Sequence, residues 1–331
     1  MQCRISLYFL LSQLTQVAAQ PSHTQYCLPP GILTTMGILD TLGLQSKPKA
    51  QPSGGPVQVS YTSNPVPIPD DFLTTPPSSS RPVSSHPIDF AASPLPEHAG
   101  RVAIVLRDVL SPGECAQLIA LAEASVPRDS SSSSSAESAW RPALINIGNG
   151  YEAPAPGYRV SDRIVWDQQD LVDRIWRRCA QAPGVAQTLA RVPADWRDGD
   201  GEWRLKGMNR RMRFLRYGPG QYFKPHCDGP YWYFEEDSGR EVRTHYTVHL
   251  YLNDSKAESP TGEGHVGGAT SFLSRDGTKR LDVNPKAGSV LIFQHEGLLH
   301  EGAMLDSGVK YTVRMDVLYR WEPEQESGNQ G

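Results

Sequence analysis

Two histidines and one aspartate constrain this sequence most, because their types and spacing match a metal-ligand set. His226 and Asp228 lie two residues apart in the segment PHCDGP, and His300 follows far downstream in LLHEG. On an extended strand, side chains at positions i and i+2 point to the same face, so His226 and Asp228 can bind one ion together. His300 must then come from a neighbouring strand. The pattern therefore predicts a β-sheet that brings distant segments side by side.

The chemistry of the three side chains indicates which metal they would bind. Two imidazoles and one carboxylate form the ligand set of non-haem Fe(II) centres, which leaves coordination positions open for chemistry. The five cysteines lack the CxxC spacing of a zinc ribbon. A single His-x-Asp is common by chance, and four other histidines compete for the role of third ligand. These are His245, His249, His265 and His295, of which His249 is the strongest rival because it lies on a predicted strand near the site.

Composition predicts how the chain is organised. Residues 20–98 are rich in Pro, Ser, Gln and Thr without an apolar period, which is typical of a disordered segment. Residues 1–19 have a basic start, a short apolar core and small residues at the end, as in a signal peptide, although a disordered N-terminus fits too. The first interpretation implies the secretory pathway and the second the cytoplasm. We expect a folded domain over 99–322, a disordered tail over 323–331 and no transmembrane segment.

Local patterns predict the elements of the folded domain. The β-branched run RVAIVLRDVL predicts a strand, and Ser111 with Glu114 forms a capping-box pattern at the start of a helix. A second helix is expected to start at Asp167, with Asp170 three residues on. From about Met208, short strands separated by turns dominate. The predicted fold class is α+β and mainly β, a double-stranded β-helix (jelly roll) backed by N-terminal helices.

A longer motif surrounds the three candidate ligands. A Tyr-x-x-Gly-x-x-aromatic-x-x-His-x-Asp pattern is followed by a Gly-Gly-Ala-Thr segment, an apolar strand, a second histidine and a basic residue ten positions later. The residues are Tyr217, Gly220, Phe223, His226 and Asp228, then Gly267 to Thr270, GSVLIF, His300 and Lys310. Over roughly residues 101–320 this order resembles the prolyl 4-hydroxylase-like branch of the 2-oxoglutarate/Fe(II) dioxygenases.

The resemblance implies an activity and a set of roles. Fe(II) would be bound by the catalytic residues His226, Asp228 and His300. The cosubstrate 2-oxoglutarate would be held by Lys310, and L-ascorbate would serve as the reductant. Tyr217 and Tyr251 are candidate hydroxyl donors to the far carboxylate of the cosubstrate, a role that the resemblance implies for a tyrosine in the strand of Tyr251, and the alternative is that they are core tyrosines. The implied reaction is O2-dependent hydroxylation of a prolyl or other protein side chain, with release of succinate and CO2.

Elementary electrostatics supports a cation at the Lys310 position. A dicarboxylate that chelates iron with its 2-oxo acid end buries its other carboxylate, which then needs a charged partner. Lys310 and Arg314 share one strand face but are separated by roughly 13 Å, so both cannot hold the same carboxylate. The spacing from His300 favours Lys310, and Arg314 remains the alternative.

The sequence leaves the substrate open. One alternative is a dioxygenase for a small molecule or an alkylated base, and another is a catalytically silent metal-binding module that recognises a partner. A net charge of −4 gives no argument for nucleic acid. The aromatic segment 229–245 is either a lid or substrate-contacting loop, or an ordinary surface insertion. A basic cluster before the site either contacts an acidic substrate or nucleic acid or, as is more common in proteins, lines solvated strand faces or pairs with nearby carboxylates. It comprises Arg204, Lys206, Arg210, Arg211, Arg213 and Arg216.

Overall fold

A computed structural model provides the fold. The residues that it describes are 54–75, 82–127, 138–148, 150–194 and 198–324. The candidate signal peptide, the C-terminal residues 325–331 and parts of the Pro/Ser-rich segment lie outside the described residues.

Strands dominate the described residues, and we number elements in chain order. The strands are β1 (Val57–Gln58), β2 (Ser84–Pro87), β3 (Ala103–Arg107), β4 (Arg141–Pro142), β5 (Ile145–Gly148), β6 (Tyr151–Ala153), β7 (Arg159–Val160), β8 (Asp162–Asp167), β9 (Arg191–Pro193), β10 (Gly201–Met208), β11 (Arg211–Tyr217), β12 (Tyr222–His226), β13 (Trp232–Phe234), β14 (Glu241–Tyr251), β15 (Val266–Gly267), β16 (Thr270–Leu273), β17 (Arg280–Val283), β18 (Val290–Gln294), β19 (His300–Gly302), β20 (Leu305–Ser307) and β21 (Lys310–Pro323). The helices are α1 (Pro112–Ala124), α2 (Gln169–Cys179) and α3 (Val185–Thr188), with a 3-10 turn at Pro96–His98.

Two antiparallel sheets form the frame of the domain. The major sheet has the order β2-β3-β18-β14-β21-β11-β8-β4, with β13 on β14, β10 on β21 and β9 on β10. The minor sheet has the order β17-β16-β19-β12-β7. Several neighbours in these orders, such as β12 and β19, are far apart in sequence, as the split ligand set requires. The expectation of a mainly β fold is confirmed, and the two-sheet arrangement is consistent with a jelly roll.

Apolar side chains pack on both faces of the major sheet. Between the sheets, Phe272 of the minor sheet meets Phe293 of the major sheet edge to face, with ring centroids 5.5 Å apart. On the other face, a larger cluster contains buried Leu118 of α1 and Leu171 and Ile175 of α2. The major sheet is therefore held between the minor sheet and the helices, which fixes the strands that carry the site.

The first predicted helix start is confirmed, and the second is wrong. The Ser111 hydroxyl accepts from the backbone N–H of Glu114, and the Glu114 carboxylate accepts from the N–H of Ser111, as a capping box requires. Helix α2 instead begins at Gln169 without a side-chain cap. Asp167 ends strand β8 and binds Arg211 through two hydrogen bonds of 2.8 Å. This bidentate ion pair keeps the Asp167 carboxylate away from the helix N-terminus.

Disorder over residues 20–98 was predicted too broadly. Strand β2 pairs with β3 and forms an edge of the major sheet. Phe72, Leu73 and Val83 are buried in the main core, and Phe90 packs against Phe272 at 5.4 Å. These apolar residues are too widely spaced to show a period in the sequence, but an existing sheet and core provide surfaces that each of them can cover.

Candidate metal centre

His226, Asp228 and His300 converge where β12 ends and β19 begins. The antiparallel register of these strands places His226 opposite His300, with ring centroids 4.3 Å apart. Nε2 of each ring lies 3.8 Å from a carboxylate oxygen of Asp228. One ligand atom from each residue lies within 4.8 Å of the other two. The cluster can therefore offer three ligand atoms to one ion, as the sequence predicted for these residues.

The backbone determines which nitrogen of each histidine faces the cluster. Nδ1 of His226 lies 2.7 Å from the carbonyl oxygen of Lys224, and Nδ1 of His300 lies 3.0 Å from that of Leu298. Because a carbonyl only accepts, each Nδ1 donates and each Nε2 lone pair is free for a metal. Burial and the neighbouring His300 lower the pKa of His226 to about 3, and burial also lowers the pKa of His300. Both rings are therefore neutral at neutral pH, as metal ligation requires.

The carboxylate of Asp228 is held by donors outside the cluster. The Thr247 hydroxyl donates to Oδ2 at 2.5 Å, and Nη1 of Arg314 lies 3.3 Å from Oδ1. Burial alone would raise the pKa of Asp228, but the nearby positive charge of Arg314 holds it well below its usual value. Asp228 is therefore ionised and fixed in orientation. Thr247 lies in a distant strand, so no local sequence pattern predicts its contribution.

Replacing Thr247 by valine is expected to weaken metal binding by about 10- to 100-fold, because the substitution removes the hydrogen bond that orients Asp228 while keeping the side-chain shape. Titration of the metal-free protein with Mn(II) measures this effect. Thr312→Val is the matched control, since the buried Thr312 hydroxyl has no hydrogen-bond partner among the described residues. Equal Mn(II) affinity of Thr247→Val and Thr312→Val would show that Thr247 does not support the ligand.

A buried ammonium group lies on the same sheet face as Arg314. Lys310 is 2% exposed, and its Nζ donates to the carbonyl oxygen of Gly268 at 2.6 Å. The Nζ lies 5.2 Å from the Tyr217 ring centroid and 5.9 Å from that of Tyr251. Burial lowers the pKa of Lys310 to about 7, and no carboxylate among the described residues pairs with it. A buried cation without an acidic partner fits the far carboxylate of a dicarboxylate cosubstrate.

The surroundings of Lys310 favour it over Arg314 as this anchor. Arg314 already contacts Asp228 and lies 3.1 Å from Asp316. The Tyr251 hydroxyl donates to the hydroxyl of Thr270 at 2.8 Å, so Thr270 belongs to the same polar group. Thr270 ends the Gly-Gly-Ala-Thr segment of the sequence motif, and the motif alone predicts no role for it. Tyr217 and Tyr251 lie against Lys310, where they were expected, and their contact with a cosubstrate stays a prediction.

Gly268 leaves room for the side chain of Lys310. Its backbone has φ +73°, and a Cβ there would lie 2.8 Å from the Leu305 side chain and 3.2 Å from Cδ of Lys310. A side chain at this position would therefore be strained and would displace the lysine stem. The Gly-Gly pair in the sequence motif thus has a steric role beside the anchor.

Comparison with known proteins agrees with this geometry. Residues 212–315, which contain the three candidate ligands and Lys310, match the model of the 2OG-Fe(II) oxygenase superfamily. The chain contains a 2OG-Fe(II) oxygenase domain. The sequence-based expectation of a 2-oxoglutarate- and Fe(II)-dependent dioxygenase is confirmed, and a search of curated proteins gave no match.

Solved structures resemble the oxygenase chain only distantly. The viral collagen prolyl hydroxylase from Paramecium Bursaria Chlorella virus-1 is 18% identical, with a TM-score of 0.37, and the match covers 66% of this chain and 97% of that one. A Pseudomonas putida prolyl-4-hydroxylase is 17% identical, with a TM-score of 0.40, and the match covers 67% of this chain and 95% of that one. A Trichoplax adhaerens prolyl hydroxylase in complex with a hypoxia inducible factor peptide is 14% identical, with a TM-score of 0.39, and the match covers 66% of this chain and 83% of that one. The assignment therefore rests on the family model and on the site itself.

The other histidines of the oxygenase domain do not join the ligand cluster. His249 stacks on Tyr251, with ring centroids 5.1 Å apart, and His245 lies 5.0 Å from the Trp203 ring. Nδ1 of His265 lies 3.1 Å from the Gly267 carbonyl oxygen, and Nε2 of His295 lies 3.7 Å from Asp316. The strongest rival, His249, is therefore not the third ligand of the cluster, although it lies inside the site.

The basic cluster of the sequence pairs with acids. Arg210 and Arg211 face Asp167, which has a lowered pKa because of the hydrogen bond from Arg211. The remaining pairs are Arg204 with Glu202, Lys206 with Glu235, Arg213 with Asp316, and Arg216 with Asp162. The interpretation of these cations as paired strand residues is therefore favoured over a nucleic-acid contact.

The aromatic segment after Asp228 forms a β-hairpin. Strand β13 pairs with the first residues of β14 and with no other strand among the described residues. Two of its three aromatic side chains are open to solvent, with Trp232 57% and Phe234 60% exposed. The hairpin extends the major sheet close to the ligand cluster.

Among the described helices, none has the length and apolar character that a membrane span needs.

Proposed function

We propose that the chain hydroxylates a protein side chain, with a prolyl residue as the first candidate, and that it consumes O2 and 2-oxoglutarate and releases succinate and CO2. One observation carries the proposal: Lys310 is a buried ammonium without an acidic partner among the described residues, in the same domain as a three-ligand cluster. A 2-oxo dicarboxylate has complementary groups at its two ends. Its 2-oxo acid end suits a metal, and its far carboxylate suits the lysine.

The residues of the site have separate roles in binding the metal and the cosubstrate. His226, Asp228 and His300 would hold Fe(II), which activates O2 for C–H hydroxylation when bound with the cosubstrate. The neutral imidazoles present their Nε2 atoms, and Thr247 keeps the Asp228 carboxylate in position. Lys310 would bind the cosubstrate's far carboxylate and so orient its other end. The buried walls exclude water, which strengthens these charge interactions.

A protein substrate is supported by the hairpin. Tyr231, Trp232 and Phe234 are all more than half exposed and lie within a few residues of Asp228. Rigid aromatic side chains give large contact area at low entropic cost, and an open strand edge can pair with an extended peptide. The sequence resemblance to the prolyl 4-hydroxylase-like branch makes prolyl the first side chain to test.

Substituting both Trp232 and Phe234 by serine is expected to lower kcat/KM for a peptide substrate by roughly tenfold to 100-fold, because exposed aromatic contacts are lost on the substrate side. The measurement is peptide hydroxylation at varied peptide concentration. Tyr151→Ser is the control, since Tyr151 is also an exposed aromatic residue, at 40%, on a different sheet. An unchanged kcat/KM in the double variant would remove the hairpin from the substrate site.

The test of the proposed function is succinate formation from 2-oxoglutarate with Fe(II), O2 and ascorbate. Wild type should form succinate, and His226→Ala should not, while His86→Ala, at an exposed position, should match wild type. A proline-rich peptide is then added, and a mass increase of one oxygen is sought together with hydroxyproline. Succinate formation without any peptide oxidation would point to the small-molecule or alkylated-base alternative. No succinate above the His226→Ala level would favour the silent module.

A further inference from the structure

His249 lies between the two ends of the candidate cosubstrate site. On β14, Thr247, His249 and Tyr251 alternate and therefore share one face of the major sheet. Thr247 donates to Asp228 at the metal end, and the Tyr251 ring lies 5.9 Å from Nζ of Lys310 at the other end. On the neighbouring strand β21, His249 is paired with Arg314, four residues beyond Lys310. A molecule that spans the metal cluster and Lys310 therefore passes His249.

The imidazole of His249 has an unused polar atom. Its Nε2 is shielded from solvent and has no hydrogen-bond partner among the described residues. A buried polar atom in this state is destabilising, so a retained one indicates a missing partner. The ring is also fixed, because it stacks on Tyr251 with an interplanar angle of 24°. Burial and nearby Lys310 hold its pKa well below the usual range, so the ring is neutral and keeps one N–H.

We propose that His249 is a further cosubstrate-binding residue, whose Nε2–H donates a hydrogen bond to a carboxylate oxygen of bound 2-oxoglutarate. This inference rests on the proposed function, because it takes 2-oxoglutarate as the cosubstrate. An N–H donor suits this position better than an acceptor, since every carboxylate oxygen of the cosubstrate accepts. His249 thereby adds a directional contact to the charge of Lys310, and it is a positioning residue for the cosubstrate.

The test is calorimetric titration of the full-length, Mn(II)-loaded protein with 2-oxoglutarate, which measures binding without turnover. His249→Leu removes the donor and is expected to raise the Kd about tenfold. His249→Gln restores an N–H group and should recover most of the affinity. His86→Leu is the matched control at an exposed histidine and should bind as wild type does. Mn(II) affinity and the unfolding temperature are measured for each variant, so that loss of metal or fold is recognised.

The outcomes separate this inference from the proposed function. Wild-type binding together with weaker binding by His249→Leu and recovery in His249→Gln supports the role of His249. Equal Kd values for wild type and His249→Leu overturn it, and so does a loss in His249→Leu that His249→Gln fails to recover. If wild type binds Mn(II) but no 2-oxoglutarate, the proposed function itself fails.

Discussion

Replacing Lys310 by methionine is expected to weaken 2-oxoglutarate binding by roughly 100- to 4,000-fold. Removing one partner of a buried ion pair leaves the other charge unpaired, at a cost of about 3–5 kcal/mol. Arg314 cannot substitute, because it is engaged by Asp228 and Asp316. Methionine keeps the unbranched stem that packs beside Gly268, so the fold should persist. The measurement is the 2-oxoglutarate Kd of the Mn(II)-loaded protein.

Two further lysine variants make this result specific. Lys279→Met changes an exposed lysine in the same way and should leave the Kd unchanged. Lys310→Arg retains a cation and should lose much less affinity than Lys310→Met. A Kd for Lys310→Met within about twofold of wild type would mean that the far carboxylate is held elsewhere. In that case the buried ammonium would need another explanation.

The same lysine predicts a pH dependence of cosubstrate binding. Burial lowers the pKa of Lys310 to about 7 in the cosubstrate-free protein. Below this pKa the ammonium is already present, so its contribution to affinity is constant. Above it, the amine must take up a proton before it can pair with the carboxylate, so affinity falls by up to about tenfold per pH unit. Lys310→Arg stays charged and should lack this decline.

The sequence predicted the parts of the site that depend on local spacing. His226 and Asp228 are two residues apart on an extended segment, and that spacing alone places them together. His300 and Lys310 were found by their order in a family motif. The strand assignments that carry them, such as β14, β18 and β21, follow from β-branched and aromatic runs bounded by turns. Such signals lie within ten or fifteen residues of the chain, where pattern reasoning is effective.

The parts that the sequence missed depend on partners far away in the chain. Asp167 looks like a helix cap until Arg211 comes beside it on the next strand. Thr247 becomes a support for Asp228 only because two different sheets meet at the site. The apolar residues before residue 99, including Phe72 and Phe90, are buried only because the completed core offers them a surface. Each of these contacts forms only in the completed tertiary fold, so no local sequence pattern predicts it.

Replacing Gly288 by alanine is expected to destabilise the protein by about 3 kcal/mol or more. Gly288 has φ +74°, and an added Cβ would overlap the carbonyl oxygen of Leu110. The backbone cannot easily move away, because the Gly288 carbonyl accepts from the N–H groups of Val109 and Leu110, and its own N–H donates to Tyr251 at 2.9 Å. Relief of the overlap must therefore break hydrogen bonds or distort the chain, and both costs add to the strain of a positive φ.

Gly277→Ala isolates the steric part of this cost. Gly277 has a similar φ of +70°, but an added Cβ there meets no atom within 4 Å. Its substitution should cost only about 1 kcal/mol from backbone strain. Urea unfolding of both variants measures the difference in their free energies of unfolding. Equal urea midpoints would show that the Leu110 carbonyl moves aside without cost to stability. The backbone N–H of Gly288 donates a hydrogen bond to the carbonyl oxygen of Tyr251, whose ring lies against Lys310. Gly288→Ala should therefore also weaken 2-oxoglutarate binding, whereas Gly277→Ala should not.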